Sequence, residues 1–209
     1  MQEQDKSIYT HDSGRASEQA FTISVLSEDK VGLLQQITIL FTRRRINIES
    51  LNTSESEVEG VFRYTIVVHT SRNQVEKLLK QIKKLIDVLG AFVYTEEEIH
   101  YQEIALYKVP TDAFTGNHIE KLVRNNGARI LGIEEKHIII EKTGHKDETT
   151  AMLEVLRPYG VLEFVRSGRV AISKSSRRTS VFLQELELIS RIPRDVNMKY
   201  LKVSDEEIQ

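Results

Sequence analysis

The sequence predicts an α+β fold of two tandem ferredoxin-like (βαββαβ) domains, and three observations lead to it. Runs that alternate apolar and polar residues, as half-buried strands do, are interleaved with runs of helical period. Between Phe21 and Val93 their order is strand, helix, strand, strand, helix, strand. The same order then recurs after Glu96-Glu97-Glu98, a like-charge run of the kind that forms solvated connectors.

Phe21, Ile23 and Val25 alternate with Thr22 and Ser24 and predict the first strand. Glu28, Asp29, Lys30 and Gly32 break it. Leu33, Leu34, Ile37, Leu40 and Phe41 then recur on one helical face, and Arg43-Arg44-Arg45 close that helix where cations suit its dipole. The arginine run reads as a solvated helix end or a partner contact. Ile46 to Ser54 predicts a second strand, the stretch ending at Gly60 a turn, and Phe62, Tyr64, Ile66 and Val68 a third strand. Val75, Leu78, Leu79, Ile82, Leu85 and Ile86 place one apolar face on a second helix, and Leu89, Ala91 and Val93 supply the fourth strand.

In the second half, Ile104, Leu106 and Lys108 open a strand region. Ile119, Leu122 and Val123 mark a short helix ended by Asn125, Asn126 and Gly127, residues that tolerate the left-handed conformation of a helix C-cap. Ile130–Glu134 and Ile138–Glu141 form two strands. Met152, Leu153 and Leu156 lie on a helix stopped by Pro158 and Gly160, and Val161–Val165 and Val170–Ile172 supply the last strand or strands. The repeat is one of element order, with little identity between halves. The expected division is a leader over 1–19, a first domain over 20–97, a second over 98–174 and a tail over 175–209. Within the tail, Phe182, Leu183, Leu186, Leu188 and Ile189 suggest an amphipathic turn or strand.

Hydrophobic residues make up 40% of the 209, enough for two cores, and the net charge of -2 offers no electrostatic reason to expect nucleic acid or an anionic membrane as partner. The absence of cysteine excludes disulfides and thiolate chemistry. A cytoplasmic location is expected, since no signal-like or membrane-length apolar run is seen.

Signatures of catalysis are missing. No G-x-S-x-G elbow and no P-loop occur. The histidines lack zinc spacing, and Glu98 with His100 makes too few ligands for a metal site. No G-D-G precedes Asn125-Asn126, so the diphosphate-binding pattern of thiamine enzymes is not present. Phe62 and Tyr64 share one strand face, as the base-stacking aromatics of RNA-binding sheets do, but without the accompanying glycine signature or a basic excess; packing is the simpler reading.

The stretch from Ser24 to Leu51 is the most informative. A strand, a loop containing Gly32 and a helix turn backbone N–H groups outward at the helix N-terminus, where a carboxylate is favoured. Asn47, on the following strand, offers both a donor and an acceptor. These groups suit the two charged ends of a free amino acid.

Ser24-Val25-Leu26, Gly32, Leu34, Arg43-Arg44 and Asn47-Ile48-Glu49-Ser50-Leu51 closely resemble the ACT domain of acetolactate synthase (acetohydroxyacid synthase) small regulatory subunits. Tyr64–Val68, Lys80–Val88, Leu156-Arg157-Pro158-Tyr159-Gly160 and Arg166–Ala171 extend the resemblance over roughly Phe21 to Lys174. It implies a non-catalytic homodimer, with ACT domains side by side and a branched-chain amino acid, usually valine, at their interface. It also implies binding to, activation of and feedback control over the catalytic large subunit, which alone would carry thiamine diphosphate, Mg and FAD. The family's effector-binding residues map onto Asp29, Val31, Gly32, Leu33, Leu34, Asn47 and Ile48. A free-standing ACT sensor for another enzyme is the alternative. The chain departs from the family where Asp29 replaces a common Asn, where Arg45 replaces a common Gly, and in the tail beyond Lys174.

Overall fold

In the computed structural model, residues 18–113, 118–175 and 181–182 are described. The first sheet contains β1 (Gln19–Glu28), β2 (Ile48–Glu55), β3 (Val61–Thr70) and β4 (Val88–Tyr94), all antiparallel in the order β2-β3-β1-β4. Helices α1 (Leu33–Arg43) and α2 (Arg72–Ile82) cover one face. Alternation dictates this face: Phe21, Ile23 and Val25 of β1 and Tyr64, Ile66 and Val68 of β3 meet Leu33, Ile37 and Phe41 of α1 and Val75, Leu78 and Ile82 of α2. Phe62 packs against the same core. Phe62 and Tyr64 are therefore turned under the helices, away from any position in which they would stack bases.

Boundaries differ in two places. The second strand begins at Ile48, while Ile46 is buried in the core just ahead of it. Helix α2 stops at Ile82, short of Leu85 and Ile86. There the chain tightens into turns, Lys84 N–H donating to Gln81 and Leu85 N–H to Ile82, which lets Leu85 reach the core and leaves Ile86 95% exposed. The turn redirects the chain into β4.

The second domain repeats the plan. Strands β5 (Ile99–Pro110), β6 (Arg129–Ile133), β7 (His137–Gly144) and β8 (Glu163–Arg166) adopt the order β6-β7-β5-β8. Helices α3 (His118–Asn125) and α4 (Lys146–Leu156) supply Ile119, Val123, Met152 and Leu156 to a core with Ala105, Tyr107, Val109, Ile138 and Ile140. Asn126 and Gly127 do end α3: Gly127 has φ 60°, and the N–H groups of Gly127 and Ala128 return to the carbonyls of Arg124 and Val123. Buried Tyr107 donates to the Thr149 carbonyl at 2.6 Å, and burial pushes its phenol up to about 12.

The last segment is two strands. After β8 the chain turns, and β9 (Val170–Ser173) pairs with Ile99–Gln102 at the start of β5. Strand β5 thus serves two ladders: residues 103–110 pair with β7 in the second sheet, and the first four pair with β9. The β5/β9 ladder lies against the face of the first sheet that the helices leave open. Among the described residues no helix is long and apolar enough to cross a membrane.

Candidate functional site

The loop between β1 and α1 is held at its base by Glu28 N–H to the Asp87 carbonyl (3.0 Å) and Asp29 N–H to the Gly60 carbonyl (3.2 Å). Gly32 is the N-cap of α1 with φ 85°, a conformation costly for any residue with a Cβ. Leu33 N–H donates to the Lys30 carbonyl and Gln36 N–H to the Gly32 carbonyl. No side chain caps this helix, and among the described residues nothing accepts from the Leu34 or Gln35 N–H groups. An open helix start of this kind favours an anion. The space a Cβ of Gly32 would enter is empty to 4 Å. The glycine is needed for its backbone angle, and the side it leaves open faces outward.

Asp29 and Val31 are exposed, Leu33 belongs to the core, and Leu34 is half-buried against it. Lys30 pairs with Glu28 at 3.5 Å.

Asn47 and Ile48 occupy the other end of the sheet. Glu28, which precedes the loop, pairs with Val61, whereas Ile48 pairs with Val68, the partner of Phe21. Seven residues of β1 separate those two levels, roughly 23 Å at ~3.3 Å per residue. One chain therefore presents two half-sites: Asp29, Val31, Gly32 and Leu34 at the start of α1, and exposed Asn47 beside Ile48 at the start of β2. It does not bring them together to clamp a ligand.

Arg45 precedes Asn47 at the C-terminal end of α1. Its φ is 54°, left-handed, and its N–H donates to the Thr42 carbonyl while Ile46 N–H donates to that of Phe41. This is a Schellman closure with arginine in the position where glycine is commonest. The substitution leaves the entry into β2 in the conformation that glycine favours.

Sequence reading did not find the cluster that joins the domains. Arg169 is 4% exposed and donates to the Thr22 hydroxyl at 3.0 Å and to Glu96 at 2.9 Å. Its guanidinium carbon lies 3.6 Å from the Tyr101 ring centroid. Beside it, Gly168 abuts the Leu51 backbone, which a Cβ would meet at 3.2 Å. Lys146 adds a bridge to Glu49 at 3.6 Å. The string Arg166-Ser167-Gly168-Arg169 was the available signal, but its contacts lie as far as 147 residues away. Glu98 is occupied too: it accepts from the Thr95 N–H (2.8 Å) and hydroxyl (3.1 Å), and these bonds, that from the backbone foremost, hold its carboxyl below the usual range.

Two βαββαβ units, the first with an open, glycine-started α1, define a protein of the ACT-domain class. Comparison with known proteins narrows the class. Residues 23–90 match the AHAS small subunit-like ACT domain and residues 102–175 match the family described as the small subunit of acetolactate synthase. The chain is 38% identical over 156 residues to the acetolactate synthase small subunit of Mycolicibacterium smegmatis, covering 75% of this chain and 92% of that one. It is 35% identical over 157 residues to that of Bacillus subtilis, with 75% and 91% covered. The crystal structure of the Thermotoga maritima small subunit superposes with a TM-score of 0.69 at 30% identity, over 76% of this chain and 99% of that one. The chain belongs to the family of acetolactate synthase small subunits.

Proposed function

We propose that this protein is a non-catalytic regulator that binds and activates a thiamine-diphosphate-dependent acetolactate synthase catalytic subunit and makes it sensitive to valine or another branched-chain amino acid. The proposal places thiamine diphosphate, Mg and FAD in the catalytic subunit, no cofactor in this chain, and both proteins in the cytoplasm. The observation that carries the reading is the division of the effector residues into half-sites at opposite ends of one sheet.

A twofold pairing of two copies through their β2 edges resolves that division. Strand β2 is an edge of the first sheet. Antiparallel pairing of two such edges reverses one copy, which sets the α1 start of the first beside Asn47 of the second. The carboxylate of the amino acid then takes the Leu34 and Gln35 N–H groups, and the second copy's Asn47 meets its polar end from across the interface. Val31 and Leu34 offer aliphatic surface to the side chain.

Homodimerisation has a second support. The open face of the second sheet exposes Ile104, Leu106, Leu131 and Val165, an apolar surface that a soluble monomer would rarely leave bare.

Titration of the full chain with valine, leucine and isoleucine by calorimetry tests the site, with one amino acid expected per half-site pair. Acetolactate formation by the catalytic subunit, with and without this chain and with the effector, tests the role. The chain alone should form no acetolactate, and its addition should raise the rate. Equal rates with and without it would defeat the assignment.

A further inference from the structure

The outer face of the helix layer over the first sheet is strongly basic. Residues 33–45 and 72–84, which hold α1, α2 and their C-terminal turns, carry eight cations and one carboxylate in a chain whose net charge is -2. That carboxylate, Glu76, is taken by Arg72 at 2.7 Å. Val75, Leu78 and Ile82 turn one side of α2 into the core. Lys77, Lys80 and, in the turn that follows, Lys84 are spaced i, i+3 and i+7 along its exposed side. Arg44 joins the two helices by donating to the Gln81 side chain at 2.8 Å. On α1, Arg43 stands one turn beyond Ile39, an isoleucine left 39% exposed. Among the described residues no carboxylate pairs with Arg43, Lys77, Lys80 or Lys84. Like charges at this spacing oppose helix formation, so the fold of α2 gains nothing from the stripe.

We propose that this face, with Ile39 as its apolar contact and Arg43, Lys77, Lys80 and Lys84 beside it, docks a carboxylate-rich surface of the acetolactate synthase catalytic subunit, an inference that rests on the regulatory role proposed above. Charge complementarity selects an acidic partner, because four unpaired cations attract carboxylates and repel a basic surface. The exposed isoleucine selects a protein, since protein interfaces join an apolar centre to a polar rim. A single-stranded nucleic acid would be met by cations together with stacking aromatics, and the exposed residues of α1 and α2 include no aromatic. The face also stays free in the proposed dimer. Arg43 follows Leu34 by nine residues, about two and a half turns, and so stands on the opposite flank of α1 from that half-site. Helix α2 packs over β4 and β1, away from the β2 edge. Since α1 starts at Gly32 and leads into Asn47, an amino acid bound at the half-sites acts on the same helix that bears Ile39 and Arg43.

Binding of the full-length chain to its catalytic subunit, measured by sedimentation over a salt series alongside acetolactate formation, tests this surface. The parent's affinity should fall at least about tenfold from low to high salt, because exposed charges are screened. Lys77→Glu combined with Lys80→Glu and Lys84→Glu should weaken binding about a hundredfold at low salt and raise in proportion the amount of chain needed for activation. The corresponding triple variant to Gln, which adds neither repulsion nor an adverse charge at the helix C-terminus, should lose less, and Ile39→Ser about tenfold. None of these residues belongs to a core or a half-site, so melting temperature, light scattering and valine titration should stay as in the parent. A triple glutamate variant that binds and activates as the parent does would overturn this docking surface and leave the regulatory role standing. A parent that neither binds nor activates the catalytic subunit would overturn both. Loss of binding to a short single-stranded RNA, with activation unchanged, would hand the face to nucleic acid instead.

Discussion

Arg45 holds φ 54° at the C-terminus of α1, where a Cβ is strained by ~1 kcal/mol or more. The two backbone bonds of the closure and burial of Ile46 and Phe41 offset that strain. Arg45→Gly removes it at the expense of a more flexible unfolded chain, so a net gain of about 0.5–1 kcal/mol is expected, read as a raised urea midpoint at constant slope. An unchanged or lowered midpoint would show that the arginine side chain contributes something this geometry does not reveal. Asn47 and Asp29 are exposed, so replacing either should leave the fold intact. With the proposed ligand bound, Asn47→Ala leaves a polar end of the amino acid unpaired, about 1–3 kcal/mol, or roughly tenfold to a hundredfold in affinity by calorimetry. Asp29→Asn removes a negative charge from the loop that receives the carboxylate and should tighten binding, more so at low salt. Parent-like valine affinity in Asn47→Ala would place the site elsewhere.

Strand β5 binds the domains together because it is twelve residues long and belongs to two ladders. Its β9 partner brings Arg169 to the open face of the first sheet, where the guanidinium bonds Thr22 and Glu96 and stacks on Tyr101. Arg169→Met keeps most of the apolar stem and removes both bonds. The buried Thr22 hydroxyl is left without this donor, so a loss of about 1–3 kcal/mol is expected. The loss should appear as faster amide exchange at the contact between β1 and β9, ahead of global unfolding. Arg169→Lys should rescue little, since an ammonium cannot reproduce the planar fork and ring contact. A parent-like exchange pattern in Arg169→Met would mean that Gly168 and the β5/β9 ladder suffice for docking.

For the molecule as a whole, association and acid stability are the properties most open to test. The bare face of the second sheet is proposed as part of the dimer contact. Val165→Glu, at a position 53% exposed, should not disturb either core but should shift light scattering toward monomer at micromolar concentration. A persisting dimer would confine the interface to the first domain. Stability should also fall on acidification. Glu141 accepts from the Thr143 hydroxyl at 2.7 Å and from Arg129, and Glu98 from Thr95; both carboxyls sit below their ordinary value of 4.5. A depressed folded pKa stabilises above the ordinary value, and that contribution is lost as pH falls through the folded one. That loss should therefore fall below pH 4.5, and Thr143→Val, by letting the folded Glu141 carboxyl rise toward its ordinary value, should shrink the stability lost there.

Period and punctuation made most of the fold legible before any coordinates. Alternation in Phe21–Val25 and Phe62–Val68 sets which face of the first sheet meets the helices, and Asn126-Gly127 ends α3, because these are local consequences of side-chain direction and backbone angle. The string from Ser24 to Leu51 pointed to the family through its resemblance, and Gly32 takes the left-handed angle at the start of α1. Tertiary structure decided the rest. Leu85 and Ile86 fit a helical face by spacing, yet the return to β4 ends α2 before them. Asn47 is close to Gly32 in sequence, yet eleven residues of α1 carry it to the far end of the sheet. Arg169 lies in a string that the sequence marks only by its resemblance, yet β9 folds back on β5 and buries it against Thr22. Periodicity records which way a side chain points within its own element. Which element it then meets depends on contacts far apart in the chain, and no local pattern encodes them.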